Sequence, residues 1–295
     1  MALLDEIKFR FKTGGIHMQL IYVNVAAFVL LLLIRLGFYL ANDMETYFWL
    51  EHGLMISANP ELILYRPWTI VTHMFVHQSV WHLLGNMIML HVGGMVFMNF
   101  HNSKRLISTY FLGGFSGAFV MVLAMNLIPR FSQYSDMIYA SGASAAMLAV
   151  IVAAATTAPD FNLRLVFLGN VKLKWIALFV VVSNVLFMPE GNEGGRFGHL
   201  GGALFGYLYI RLHQNGTDLT VDFLKPWYWI KNQLAERDKP IKVVHRKPRN
   251  DDEYNANKAS KQEQIDVILD KIKLSGYESL SKKEKEILFK NSKEI

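Results

Sequence analysis

The sequence predicts an all-α membrane protein, a bundle of six spanning helices followed by a small cytoplasmic helical tail. Three observations predict it. Of the 295 residues, 52% are hydrophobic and 18% charged, and the mean hydropathy is +0.23, too apolar a balance for a soluble domain of this length. Six stretches approach the roughly 20 apolar residues that carry a helix across ~30 Å of hydrocarbon. Charge gathers at the end of the chain: residues 216–295 hold 17 Lys/Arg and 14 Asp/Glu, against 13 and 10 in the first 215. The chain therefore divides into a cytoplasmic N-terminal segment (1–19), a membrane domain (20–215), an interfacial segment and linker (216–259) and a short helical extension (260–295).

The first span, 20–40, follows Lys8, Arg10 and Lys12 as a signal peptide would follow its basic region. Its apolar run is too long for one, and no convincing small-residue cleavage site comes after it. The loop at 41–79 is long and semi-apolar, with Trp49, Leu54, Ile63, Tyr65, Trp68 and Phe75. It either rests in the interface, where aromatic rings favour the headgroup level, or forms a small cap packed on the helices. The remaining spans are 80–98, 106–128, 142–158, 174–188 and 197–212.

Orientation follows from basic residues in short loops. Lys8, Arg10, Lys12, Lys104, Arg105, Arg164, Lys172 and Lys174 fall on one side with the basic tail. The other side has Arg66, Arg130 and Arg196 against Asp43, Glu45, Glu51, Glu61, Asp136, Glu190 and Glu193. Both termini are expected in the cytoplasm, which requires an even number of spans. The same placement explains the net charge of +6 without nucleic acid. Cysteine is absent, which leaves no disulfide, cysteine nucleophile or thiolate metal site.

Polar groups at membrane depth are costly and usually line a cavity with a function. His82 and Asn86 lie four residues apart in the second span, on one helix face, where both can donate toward one point. The same pair could simply bond two helices together. Ser144 stands among Gly142, Ala143, Ala145 and Ala146 where the fourth span begins. Unpaired backbone N–H groups and the helix dipole favour developing negative charge there, although serine is also common in small-residue packing seams. His199 precedes the sixth span's Gly202 and Gly206 and follows Gly198, a spacing that gives a smooth face for a neighbouring helix. If the small face of the fourth span packs against it, His199 comes within reach of Ser144. Under the charge-derived topology all three clusters occupy the outer ends of their spans and share one layer.

In these motifs the sequence resembles the rhomboid intramembrane serine proteases, from about Arg66 to Arg211. Rhomboids carry His-x-x-x-Asn on the second span, Gly-x-Ser on the fourth and a flanked His with trailing glycines on the sixth. His82/Asn86, Gly142/Ser144 and Gly198/His199/Gly202/Gly206 match them in order. The resemblance implies a Ser-His dyad, with Ser144 as nucleophile and His199 as general base and then acid. It also implies an oxyanion held by His82, Asn86 and the Ser144 backbone N–H. The implied substrates are transmembrane protein segments in the lipid bilayer, with no cofactor; a non-catalytic relative that binds transmembrane helices is the alternative.

This chain departs from the family pattern in three places. Ala145 stands where Gly commonly follows the serine, Leu148 where an aromatic often stacks on the histidine, and Trp68-Thr69 where Trp-Arg is frequent. With Leu148, the imidazole must be oriented by something else. His77 matches a histidine often found there and is expected to be structural. A metal site on His73, His77, His82 and His91 has one helical i,i+4 pair but no carboxylate, and no His-Glu-x-x-His occurs.

In the tail, residues 223–230 have the aromatic and basic mixture of a segment resting on the membrane, and 235–259 are polar, as in a linker. Ser260/Glu263 and Ser281/Glu284 are capping-box patterns that predict two helices, the first closed by Gly276. Ile265, Ile268, Leu269 and Ile272 fall on one face of it. So short a pair cannot build an independent core, so it is expected to associate with itself, a partner or the membrane side of the chain. The tail resembles an extension of some bacterial rhomboids, which implies a bacterial inner membrane.

Overall fold

The computed structural model describes residues 3–165, 169–221, 223, 225 and 251–291. The chain forms two compact units, 1–231 and 232–295.

The first unit begins with α1 (Leu3–Thr13) and α2 (Gly15–Leu40), separated where Gly15 takes φ +75°. The loop after α2 is folded: α3 (Met44–His52) is capped by the Asp43 carboxylate, α4 (Pro60–Tyr65) by Asn59, and α5 (Thr69–Thr72) comes next. Its Trp49, Tyr65 and Trp68 are exposed while Tyr47, Met55 and Ile56 are buried, so it is a packed cap that also presents aromatic rings outward. The strand β1 (Ile56–Ser57) lies in this cap. Then come α6 (Val80–Phe100), α7 (Ser103–Leu127), α8 (Pro129–Ser132) and β2 (Tyr139–Ala140). Helix α9 (Ser144–Thr157) is followed by a hairpin of β3 (Asn162–Leu165) and β4 (Gly169–Lys172), then by α10 (Leu173–Leu186) and α11 (Glu193–Gln214).

Each of the six apolar stretches is helical. Three of the helices, α2, α6 and α7, are long and apolar enough to cross a membrane, while α9 and α10 are apolar with 14 residues each. The fold is not purely α. β1 pairs antiparallel with β2 (Ile56 with Ala140, Ser57 with Tyr139), and β3 with β4 (Asn162 with Lys172 through Leu165 with Gly169). In β3 the exposed Asn162 and Arg164 alternate with the half-buried Leu163 and Leu165, the period of a strand with one covered face. The first pairing ties the cap to the start of α9, because β2 leads directly into Gly142.

Helix α9 sits at the centre, against α6, α7, α10 and α11. It carries no charge, and from Ala146 to Ala155 every residue is buried except the half-buried Val152. That is the pattern of a helix apolar on every side.

Two glycine-bearing helices clasp this one. A Cβ added at Gly113 or Gly117 of α7 would collide with the Cβ of Ala149 or Ala145, and one at Gly202 or Gly206 of α11 would collide with the Ala145 or Ala149 carbonyl oxygen. The backbones are therefore closer than any side chain permits, and packing substitutes for the hydrophobic drive that lipid does not supply. Of the three glycines of α11 expected on a smooth face, Gly202 and Gly206 face α9, whereas Gly198 faces Gly117 of α7. At the periphery, Leu30, Leu33 and Leu36 of α2 and Phe179 and Leu186 of α10 are exposed, the outer face of a protein surrounded by hydrocarbon.

In the second unit, α12 (Asp251–Ser275) starts within the stretch expected to be linker, ahead of Ser260. A capping pattern starts a helix only where the preceding residues leave it, and the Ala, Lys and Glu upstream of Ser260 continue one. Gly276, at φ +77°, ends it. Helix α13 (Lys282–Asn291) comes next, with a reciprocal capping box: the Ser281 N–H donates to Glu284 Oε2 at 2.6 Å and the Glu284 N–H to Ser281 Oγ at 3.4 Å. Ile268 and Leu280 are buried, Ile265 and Ile272 half-buried, but Leu269, expected on the same face, is exposed. The membrane-resting segment expected at 223–230 lies outside the described residues except for Phe223 and Lys225.

Candidate active site

Helices α6, α9 and α11 each present their first or second turn to one cavity of about 310 Å³, lined among others by His82, Gly142, Ser144, Ala145 and His199. Ser144 is the first residue of α9, so its N–H and the next ones have no partner within the helix. The approach to it is held from the cap: the Gly142 N–H donates to the His73 carbonyl at 2.8 Å, and the Ala143 N–H to His77 Nε2 at 3.4 Å. Burial first, then the neighbouring His82, push the His77 pKa down to about 4, keeping its imidazole neutral and Nε2 free to accept. Gly142 itself has φ +113°, a conformation that glycine adopts without strain.

His82 occupies the third position of α6, whose start is capped by Ser79 accepting from the His82 N–H at 3.1 Å. Asn86 lies one turn on and is buried. Both crowd Gly142: a Cβ there would stand 2.7 Å from His82 Nε2 and 3.5 Å from Asn86 Nδ2. Among the described residues Asn86 Nδ2 has no hydrogen-bond partner, and a buried donor left unpaired costs ~1–3 kcal/mol. Such a donor, buried beside the cavity, is available to an acceptor that enters it.

His199 Nε2 lies 2.6 Å from Ser144 Oγ. Its other ring nitrogen, Nδ1, lies 2.6 Å from Oδ1 of Asn184 on α10. Asn184 is a site residue that the sequence motifs do not flag. It sits in the apolar run Val182-Ser183-Asn184-Val185, and a carboxamide at that depth is itself a signal. The structure thus brings together all four expected residues, Ser144, His199, His82 and Asn86, and adds a fifth.

The departures from the family pattern find their setting here. The Ala145 methyl lies against Gly117 of α7, where a side chain would collide with it, so the extra carbon is accommodated by the facing glycine. Leu148 is buried in the core cluster. Of the other histidines considered as metal ligands, His73 is engaged through Nδ1 with the Thr69 carbonyl at 2.8 Å, and the His91 ring lies 5.5 Å from that of His17.

Residues 65–214 match the Rhomboid domain, and residues 250–294 match a family of unknown function (DUF6576). The chain is similar to the presenilin-associated rhomboid-like protein, mitochondrial, of Rattus norvegicus, 28% identical over 170 residues, which cover 54% of this chain and 42% of that protein. It is similar to the Bos taurus protein of the same name at 28% over 162 residues, 52% of this chain and 40% of that protein. With presenilin-associated rhomboid-like protein A, mitochondrial, of Danio rerio, it shares 28% over 178 residues, 56% and 43% respectively. The matches span less than half the length of these relatives.

Proposed function

This chain belongs to the rhomboid family of multi-pass membrane proteins, and from that premise we propose that it is an intramembrane serine endopeptidase cleaving transmembrane or juxtamembrane segments of other proteins. The observation that carries the reading is the 2.6 Å contact between Ser144 Oγ and His199 Nε2.

In this reading Ser144 Oγ attacks the carbonyl carbon of the scissile peptide while His199 Nε2 takes its proton. The carbonyl oxygen becomes an anion beside Gly142, where His82 Nε2–H, Asn86 Nδ2–H and the Ser144 N–H donate to it. The tetrahedral intermediate collapses, the C–N bond breaks, and His199 returns the proton to the departing amine. Water then attacks the acyl-serine ester, giving a proton to His199; the bond between the acyl carbon and Ser144 Oγ breaks, His199 returns that proton to Oγ, and the new carboxylic acid leaves and ionises. A peptide held in a regular helix offers no free carbonyl, so the substrate must unwind locally at the cavity.

Helix α9 rises only ~21 Å over its 14 residues, short of the ~30 Å hydrocarbon layer. A nucleophile at its first residue would then sit below the membrane surface, where backbone without regular partners is tolerated only around a protein-lined, water-accessible cavity. The orientation that goes with this has six spans, both termini in the cytoplasm and the cavity opening to the other side, as the basic loops favour. Since the chain has no cysteine, single cysteines introduced into its loops report that orientation by labelling from either side.

Full-length protein in liposomes with a single-span substrate tests the function. Cleavage by the wild type and none by Ser144→Ala is the expected result. Substrate binding without cleavage by the wild type would replace this reading with a non-catalytic helix binder.

A further inference from the structure

We infer that Asn184 is a positioning residue for the reaction, fixing the tautomer and plane of the His199 ring, an inference that rests on the proposed function. The carboxamide of Asn184 has two ends with opposite hydrogen-bonding character, and its surroundings distinguish them. Its Nδ2 lies 2.8 Å from the Val180 carbonyl, which can only accept, so the NH₂ faces that oxygen and Oδ1 faces His199. Oδ1 can likewise only accept, so the His199 Nδ1, 2.6 Å away, carries the proton. A neutral imidazole has one N–H, which leaves Nε2 with its lone pair toward Ser144 Oγ at 2.6 Å. The hydroxyl proton then has one place to go. Each bond in this chain, from the α10 backbone to the serine, determines the next.

The setting gives the contact its effect. Asn184 is buried, so no bulk water competes for Oδ1 and the ring is held on both sides. The position four residues after the serine, where a stacking aromatic would fix the ring, is Leu148, buried in the core; Asn184 supplies from α10 the orientation that α9 does not. As a neutral group it accepts the N–H without the charge that a carboxylate would bring into an apolar site.

The test is the rate at which a fluorophosphonate acylates Ser144 in the full-length protein, measured against probe concentration and pH, with Ser144→Ala as the blank. Asn184→Leu keeps the branched shape and removes the acceptor. It is expected to slow the maximal acylation rate about 10- to 100-fold, by weakening the general base, with probe affinity unchanged. Asn184→Asp keeps the acceptor and adds charge. It is expected to retain acylation and to move the acidic limb of the pH profile upward, because a carboxylate favours the imidazolium. Acylation of Asn184→Leu at the wild-type rate would overturn the inference and leave the proposed function standing. If Asn184→Leu does not fold, an unmoved acidic limb in Asn184→Asp overturns it instead. A wild type not labelled at Ser144 would overturn the proposed function, and this inference with it.

Discussion

The start and the middle of α9 meet the rest of the protein in different ways. At its start, Ser144 faces a cavity shared with His82 and His199, and contact is made through a directed bond of 2.6 Å. Further along, Ala149 is clasped by Gly113 and Gly206, with no polar side chain between them. The first region offers directed polar contacts around a cavity; the second leaves no room for an added atom. Ala145 belongs to both, since its methyl touches Gly117 and its carbonyl Gly202 one residue after Ser144. The seam thereby sets the distance at which the polar groups meet.

Substitutions in the two regions should accordingly separate activity from stability. The largest effect is expected at the polar end: Ser144→Ala or His199→Ala should lower substrate cleavage by on the order of 10³-fold or more, with the thermal midpoint little changed. A large drop in that midpoint would mean the polar end also carries the fold. Next, Asn86→Ala should cost ~2.7–4 kcal/mol of transition-state stabilisation, roughly 10²–10³ in rate, measured as kcat. Removing its unpaired carboxamide should not destabilise the protein.

In the seam the order reverses. Gly202→Val should destabilise the fold by about 3 kcal/mol, since its Cβ cannot be placed without parting α9 from α11, and activity should fall only as folded protein is lost or misaligned. Unfolding in detergent, followed alongside cleavage, distinguishes the two. Ala145→Gly, at the junction, should destabilise by about 0.5–1 kcal/mol through backbone entropy and leave cleavage within a few-fold.

The smallest effect is expected in the tail unit. There the Lys271 ammonium, 2.9 Å away, and then the Ser281 backbone and hydroxyl hold the Glu284 carboxyl down at about 2 from its ordinary 4.5. A carboxyl depressed in the folded state stabilises it fully above 4.5 and ceases to do so as pH falls toward 2. Hydrogen-exchange protection at 282–291 in the full-length protein, taken relative to the intrinsic rate at each pH, should therefore fall over that window, and Glu284→Gln should abolish the change while leaving cleavage at neutral pH unaltered.

The polar end is more legible in the sequence than the seam. His82, Asn86, Ser144 and His199 stand out because polar groups are rare at membrane depth, and their helical spacing gives them a common layer. Gly202 and Gly206 are legible as a smooth face, but the opposing Gly113 and Gly117 of α7 are not, since glycines in an apolar run say little about which helix they meet. Asn184 escapes for a similar reason: nothing in the linear order links α10 to the histidine of α11. The β1–β2 pairing is invisible because two-residue strands show no periodicity, and Ser260 misleads because a capping pattern is ambiguous inside a sequence that already favours helix.

The central claim is that Ser144 is activated by His199. Mass-spectrometric mapping of fluorophosphonate adducts on the full-length wild type and on His199→Ala tests it most directly. The expected result is an adduct on Ser144 in the wild type and almost none in the variant; equal modification of Ser144 in both, or none in either, would contradict the claim.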